Sequence, residues 1–172
     1  MADTNLGTYS SDDLTVIITA QEIIHAASGF AEGTMVSVEK TTPTSKLVLN
    51  GDKGGGRVFR STSDGMVTLH LNQWSNTNDL LSWLHKADSE TRDSTWLFNI
   101  AVVDGTGRSA HYARQCFIEN IPTSSFGTEL ETREWVIHSA DMEHFVGGNG
   151  KLPAEVISSI EKLGGTVAPR WR

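Results

Sequence analysis

Cys116 is the one cysteine in this chain of 172 residues, so no disulfide can form within it. No apolar run approaches the ~18–20 residues that a membrane-spanning helix needs. Positive charge is scarce: 14 Lys and Arg face 21 Asp and Glu, for a net charge of −7. A surface that grips nucleic acid needs clustered Lys and Arg to displace counterions, and an acidic chain is a poor candidate for one. The opening residues, MADTNLGTYSSDD, are polar and lack the basic start of a secretory signal. Together these absences predict a protein made in a reducing cytoplasm, with no membrane span.

The usual marks of catalysis are missing as well. Six histidines are present, His25, His70, His85, His111, His138 and His144, but none stands at a recognised metal-ligand spacing. His138-x-x-Asp141 and Glu143-His144 fall on an expected strand, where odd and even positions point to opposite faces. Cys116 has no motif around it and reads as a small buried hydrophobe. No serine sits in a G-x-S-x-G elbow. Gly51-Asp52-Lys53-Gly54-Gly55-Gly56 is no phosphate loop, because its lysine precedes the glycines and no helix is expected to follow. No catalytic residue, metal or cofactor is therefore expected.

The most ordered pattern in the chain runs from Gly65 to Asp88. Val67, Leu69 and Leu71 alternate with Met66, Thr68, His70 and Asn72, which predicts a half-buried strand. At Ser75-Asn76 the period changes. Leu80, Leu81, Leu84 and Ala87 recur at helical spacing with Trp83 beside them, and Asn76 is a plausible N-cap with Asp79 suited to the helix dipole. This helix is expected to be core. Alternating runs also predict strands over 13–20, from Gly33 to Glu39, over 95–102, over 108–119 with Tyr112, Cys116 and Ile118 on one face, and over 130–145. Gln21 to Phe30 reads as a turn region.

Residues 41–64 are rich in Gly, Ser and Thr, and two short β-prone pieces flank Asn50–Gly56. This predicts a protruding polar hairpin, with Asn-Gly and the glycines supplying positive φ. Gly147 to Gly150 reads as a flexible joint. Beyond it Pro153, an apolar stripe at Val156, Ile157, Ile160 and Leu163, and Gly164 as a C-cap predict a short helix. No internal repeat is visible. The fold expected is mainly β, an antiparallel sandwich or barrel with one central packing helix and a short C-terminal helix. The division expected is a flexible arm at 1–12, a domain at 13–148 carrying the 41–64 hairpin, and an extension at 149–172.

The segment NGDKGGGRVFRSTSDGMVTLHLNQWSNTNDLLSWL resembles the tail tube proteins of contractile-tailed phages. The shared pattern is a Gly/Asp turn, Arg-Ser, Gly, an alternating strand, then Ser-x-x-Asn and an apolar helix. Upstream, Ser28–Thr34 and Val36–Glu39 are similar to the stretch leading into that family's second strand. Downstream, Phe126-Gly127, Thr132-Arg133-Glu134-Trp135 and Gly147-Gly148 look like its closing strand. The likeness covers roughly residues 13–148. The triple glycine at 54–56 departs from a more acidic turn, and Lys151 to Arg172 looks like an addition.

The resemblance implies a structural protein of the virion, assembled in the host cytoplasm, whose hexameric rings stack into a tube. Its implied partners are other copies of itself and the sheath, tape measure, baseplate and tail terminator proteins. Double-stranded DNA would pass through the lumen without specific binding, and an acidic wall suits that by repelling phosphate. Ser37, Glu39, Thr68, His70 and Asn72 oppose apolar faces on their own strands and are candidates to line the lumen. Lys53, Arg57 and Arg60 are basic in an acidic chain and suit contacts between rings. A tube of a type VI secretion or tail-like bacteriocin system fits the same residues. A carbohydrate-binding β-sandwich is the reading from another class, with Trp74, Trp83, Trp96, Trp135 and Trp171 as possible stacking platforms. Trp83 and Trp96 sit on apolar faces and are expected in the core, which leaves Trp171 exposed.

Overall fold

A computed structural model describes residues 6–172. Among these the chain forms β1 (Leu14–Ala20), β2 (Ile23–Ala26), β3 (Val36–Lys40), β4 (Ser45–Leu49), β5 (Gly55–Phe59), β6 (Gly65–Asn72), α1 (Asn76–Thr91), β7 (Phe98–Asp104), β8 (Ala110–Ile118), β9 (Thr132–Phe145) and α2 (Ala154–Lys162). Seven strands make one antiparallel sheet in the order β2-β1-β7-β8-β9-β6-β3, and β4 pairs only with β5. The protein is mainly β, as its alternating runs predict. Of the arm expected at 1–12, residues 1–5 lie outside the described residues, and Ser11–Asp13 make a single 3-10 turn.

The sheet curls. The stretch after β2 reaches across to β6, where the amide of Ala31 donates to the carbonyl of His70 at 2.9 Å and that of Asn72 to Gly29 at 2.8 Å. β2 and β3 do not pair with each other, so the barrel stays open and both are edge strands. One contiguous core fills the curl: Val16 and Ile18 from β1, Val67, Leu69 and Leu71 from β6, Ile100 from β7, Cys116 from β8, and Trp135 and Ile137 from β9. Each is an inward residue of its strand's alternation.

α1 covers this core. Ser75, one residue ahead of the expected Asn76, is its N-cap and accepts from the amide of Thr77. The Ser75 hydroxyl also donates to the carbonyl of Ser28. Trp135 Nε1 donates to Asn78 Oδ1 at 2.8 Å, and His85 Nδ1 lies 3.1 Å from the carbonyl oxygen of Ile118. These contacts anchor the helix to the ends of β8 and β9 and to the turn after β2. At that turn Gly29 holds φ +73, and a Cβ there would come within 2.8 Å of Ser75 Cβ, so the close approach requires glycine.

Several expectations fail for identifiable reasons. The region read as a turn at 21–30 contains β2, which exists because β1 supplies its hydrogen-bond partners. Tyr112 does not share a face with Cys116 and Ile118. Gln115 takes φ +52, the β7–β8 register shifts there, and the inward residue before it is Ala113. Trp83 is 66% exposed and not core. The joint at 147–150 is tied down: Gly147 exchanges hydrogen bonds with the Ser109 hydroxyl, Arg108 Nη1 donates to the carbonyl of Gly150, and Asn149 Nδ2 donates to Asp104 at 3.0 Å.

Candidate assembly surfaces

β3 and β6 pair with Ser37 opposite Thr68 and Glu39 opposite Met66. Paired residues share a face, so Ser37, Glu39, Thr68, His70 and Asn72 all lie on the side of these strands turned away from the core. Ser37 and Glu39 are exposed, and the three β6 residues are half-buried. Asn72 is partly occupied, because its Nδ2 donates to the carbonyl of Phe30 at 3.0 Å. β9 extends the same face with Glu134 opposite His70 and His138 opposite Met66. His138 Nε2 sits 3.1 Å from Glu119 Oε2. Glu119, Glu134 and Glu39 make this a carboxylate-bearing face. The alternation of Arg133, Trp135 and Ile137 already places Glu134 there.

The β4–β5 hairpin is exposed along its length. Its tip closes by the amide of Asn50 donating to the carbonyl of Gly54 at 2.7 Å, and the left-handed residue is Lys53 at φ +65 rather than Gly51. The three basic candidates are not brought together: Lys53 is in the tip, Arg57 mid-strand and Arg60 at the base. Sequence reading of this arm as polar misses its apolar content. Leu47, Leu49 and Phe59 lie on one face, where the Arg57 guanidinium stacks 4.3 Å from the Phe59 ring. Val48 and Val58 lie on the other. Leu49 is 71% exposed and Phe59 61%. A two-stranded hairpin with apolar side chains bare on both faces is marginal in water.

The base of the arm is, by contrast, firmly held. The amide of Thr41 donates to the carbonyl of Asp64, and the Thr42 hydroxyl donates to the Asp64 carboxylate at 2.9 Å. The Ser63 hydroxyl donates to Asp141 at 2.7 Å, and Arg114 bridges Asp141 at 3.1 Å and Glu143 at 3.2 Å. The Ser63 hydrogen bond, and then Arg114, hold the Asp141 carboxyl below the usual carboxylate range. The arm therefore leaves the sheet in a defined direction.

Leu81 and Leu84 of α1 are buried, Leu80 packs against the core and Ala87 is half-buried. The outer side carries Trp83 with Lys86 stacked 4.9 Å from its ring, and Trp74 is exposed just before the helix. At the other end of the sheet a cleft of about 460 Å³ separates α2 and the C-terminal turn from β7, β8 and β9. Trp171, expected to be exposed, is half-buried there between Arg108 and Arg170, each 4.7 Å from its ring.

Among the described residues no three His, Cys, Asp or Glu side chains are placed to hold a metal ion. Burial pushes the Cys116 thiol up to about 11, so it stays protonated and unreactive at neutral pH. His111 and His144 meet Nδ1 to Nδ1 at 3.2 Å across β8 and β9. No helix among the described residues is long and apolar enough to cross a membrane.

No family model matches the chain. It is 32% identical over 166 residues to the structural protein ORF10 of Pseudomonas phage KPP10, a match that covers 95% of this chain and 96% of the relative. The chain belongs to the family of that phage structural protein. Within this phage structural-protein family the segment after residue 149 is shared, since 95% coverage leaves too few residues outside the match for it to be private to this chain. Among solved structures the chain is similar to the tube-terminating cap of the anti-feeding prophage, with 12% identity and a TM-score of 0.49 over 85% of this chain and 99% of that one. A likeness at that level carries no argument about function.

Proposed function

We propose that the protein is a non-enzymatic structural protein of a phage tail, whose hexameric rings stack into the tail tube. The relative's description as a phage structural protein supports the structural role. The observation that carries the finer reading is the β4–β5 hairpin, with Leu47, Leu49, Val58 and Phe59 bare to solvent on an arm anchored at its base. Within one subunit nothing covers those side chains, and repeated contacts around a ring amplify individually weak ones. Two open sheet edges, β2 and β3, offer strand pairing between neighbours, which removes exposed edges by assembly. In such a tube the carboxylate-bearing face with Ser37, Glu39, Thr68, His70 and Asn72 lines the lumen and lets DNA slide. Lys53, Arg57 and Arg60 pair with carboxylates of the adjacent ring. Sheath, tape measure, baseplate and terminator proteins complete the tail around it in the virion.

Negative-stain microscopy of the purified protein, across protein and salt concentrations, tests this reading. Sixfold rings or tubes are expected. A dispersed monomer under every condition contradicts it.

A further inference from the structure

Within Thr132-Arg133-Glu134-Trp135 the arginine is buried. Arg133 is 7% exposed, and no carboxylate pairs with it among the described residues. Its Nη2 donates to the carbonyl of Ser125 at 3.0 Å, and the Phe126 ring lies 5.2 Å from its guanidinium carbon. Its Nη1 is enclosed and has no acceptor. A guanidinium carries five N–H donors and cannot be neutralised by losing a proton, so one neutral carbonyl and one ring face leave its buried charge without a counter-charge and its Nη1 donors unmet. Arg133 also lines a cleft of about 330 Å³ whose other polar walls are Gln73, Asn78, Ser82 and Ser124, all uncharged.

We propose that this cleft is a carboxylate-binding site anchored by Arg133, filled in the assembled particle by an acidic side chain of a second copy of this chain. A single carboxylate matches the single positive charge and the planar fork of the guanidinium. A phosphate dianion would bring a second charge that neutral walls do not compensate. The chain supplies carboxylates in excess, 21 against 14 cationic side chains. Phe126 at 79% exposure and Leu130 at 69% belong to the same 119–131 connection and give an incoming subunit apolar contacts beside the charged anchor. The choice of occupant rests on the self-assembly proposed above; the carboxylate chemistry does not.

The test uses the full chain and acetate as probe. Thermal melts of dispersed subunits are compared in sodium acetate and sodium chloride at equal ionic strength. Wild type is expected to rise by about 3–5 °C near ten times the dissociation constant, and Arg133→Met not at all. Because Arg133→Met also loses the Ser125 contact and can fail to fold, Ser82→Glu is the second variant. It tethers a carboxylate to the cleft wall, and is expected to melt higher than wild type and to ignore acetate. No acetate response in wild type, or an equal response in Ser82→Glu, overturns the site. In sedimentation assays Ser82→Glu is expected to raise the critical concentration for assembly at least tenfold. If it loses the acetate response yet assembles like wild type, a second copy is not the occupant and that half is overturned. If wild type never assembles, the tube reading fails while the acetate melts still decide the chemistry of the cleft.

Discussion

His111 of β8 and His144 of β9 face each other with their Nδ1 atoms 3.2 Å apart, and the Nε2 of His144 is enclosed without a partner. A hydrogen bond between these two nitrogens requires one of them to be unprotonated. Burial, and then the neighbouring His144, hold the His111 pKa below its ordinary value; burial, and then Lys40, do the same for His144. The folded state therefore binds fewer protons than the unfolded chain as pH falls below the unfolded value near 6.5. Stability is fully present above that value and declines as pH drops through the lower folded values. Melts from pH 8 down to pH 5 are expected to show this loss in wild type and a flatter profile in the His111→Gln/His144→Gln variant. Equal slopes in the two proteins would remove the pair as the cause.

Leu84 supports the packing of α1 on the sheet. It is 3% exposed, next to Leu81 in the same buried cluster. Leu84→Ala should cost about 2–5 kcal/mol, read from denaturant unfolding. Trp83→Ala, on the exposed side, should change stability by less than about 1 kcal/mol. A Trp83 effect as large as that of Leu84 would place the helix in the wrong rotation.

The segment after Gly148 is held to the β7–β8 connection by Asn149, whose Nδ2 donates to Asp104, by the Gly150 carbonyl, which accepts from Arg108, and by Trp171 against the Arg108 guanidinium; within the segment the amide of Leu152 donates to the carbonyl of Trp171 at 2.9 Å. No residue of α2 is fully buried, and Leu163 is 88% exposed. Truncation at Gly148 should leave a cooperative unfolding transition and a native circular dichroism spectrum, with altered assembly or decoration. Loss of the transition would make the segment part of the core.

The hairpin should govern polymerisation and leave folding alone. Shortening Asn50–Gly56, or reversing charge at Arg57 and Arg60, is expected to give a soluble, folded subunit that stacks poorly. Sedimentation and circular dichroism on one sample check both halves. Long tubes from the charge-reversed protein would refute the role of those residues, and so would loss of the fold.

Much of this fold is legible in the residue pattern because one face of each long strand is buried. Val67, Leu69 and Leu71 announce β6 in that way, and Trp135 and Ile137 announce β9. What pattern misses depends on partners or on single dihedrals. Ile23–Ala26 is too short to show a period and becomes a strand through β1. Tyr112 is misplaced because nothing in Arg114-Gln115-Cys116 signals the positive φ that re-aims the strand. Trp83 misleads through its size: it lies about 100° around the helix from Leu84, off the stripe that Leu81 and Leu84 define. The assembly surfaces are the least legible. Alternation identifies the polar face of β3 and β6, but not what that face meets. The apolar side chains of the hairpin hide among its glycines, and the solitary burial of Arg133 shows only once the 119–131 connection is in place.

A cryo-electron microscopy map of the assembled protein tests the central claim most directly. The expected result is six subunits per ring, residues 45–59 ordered against the adjacent ring, and Ser37, Glu39, Thr68, His70 and Asn72 facing the channel. Rings held together without the hairpin, or those five side chains on the outer surface, would contradict it.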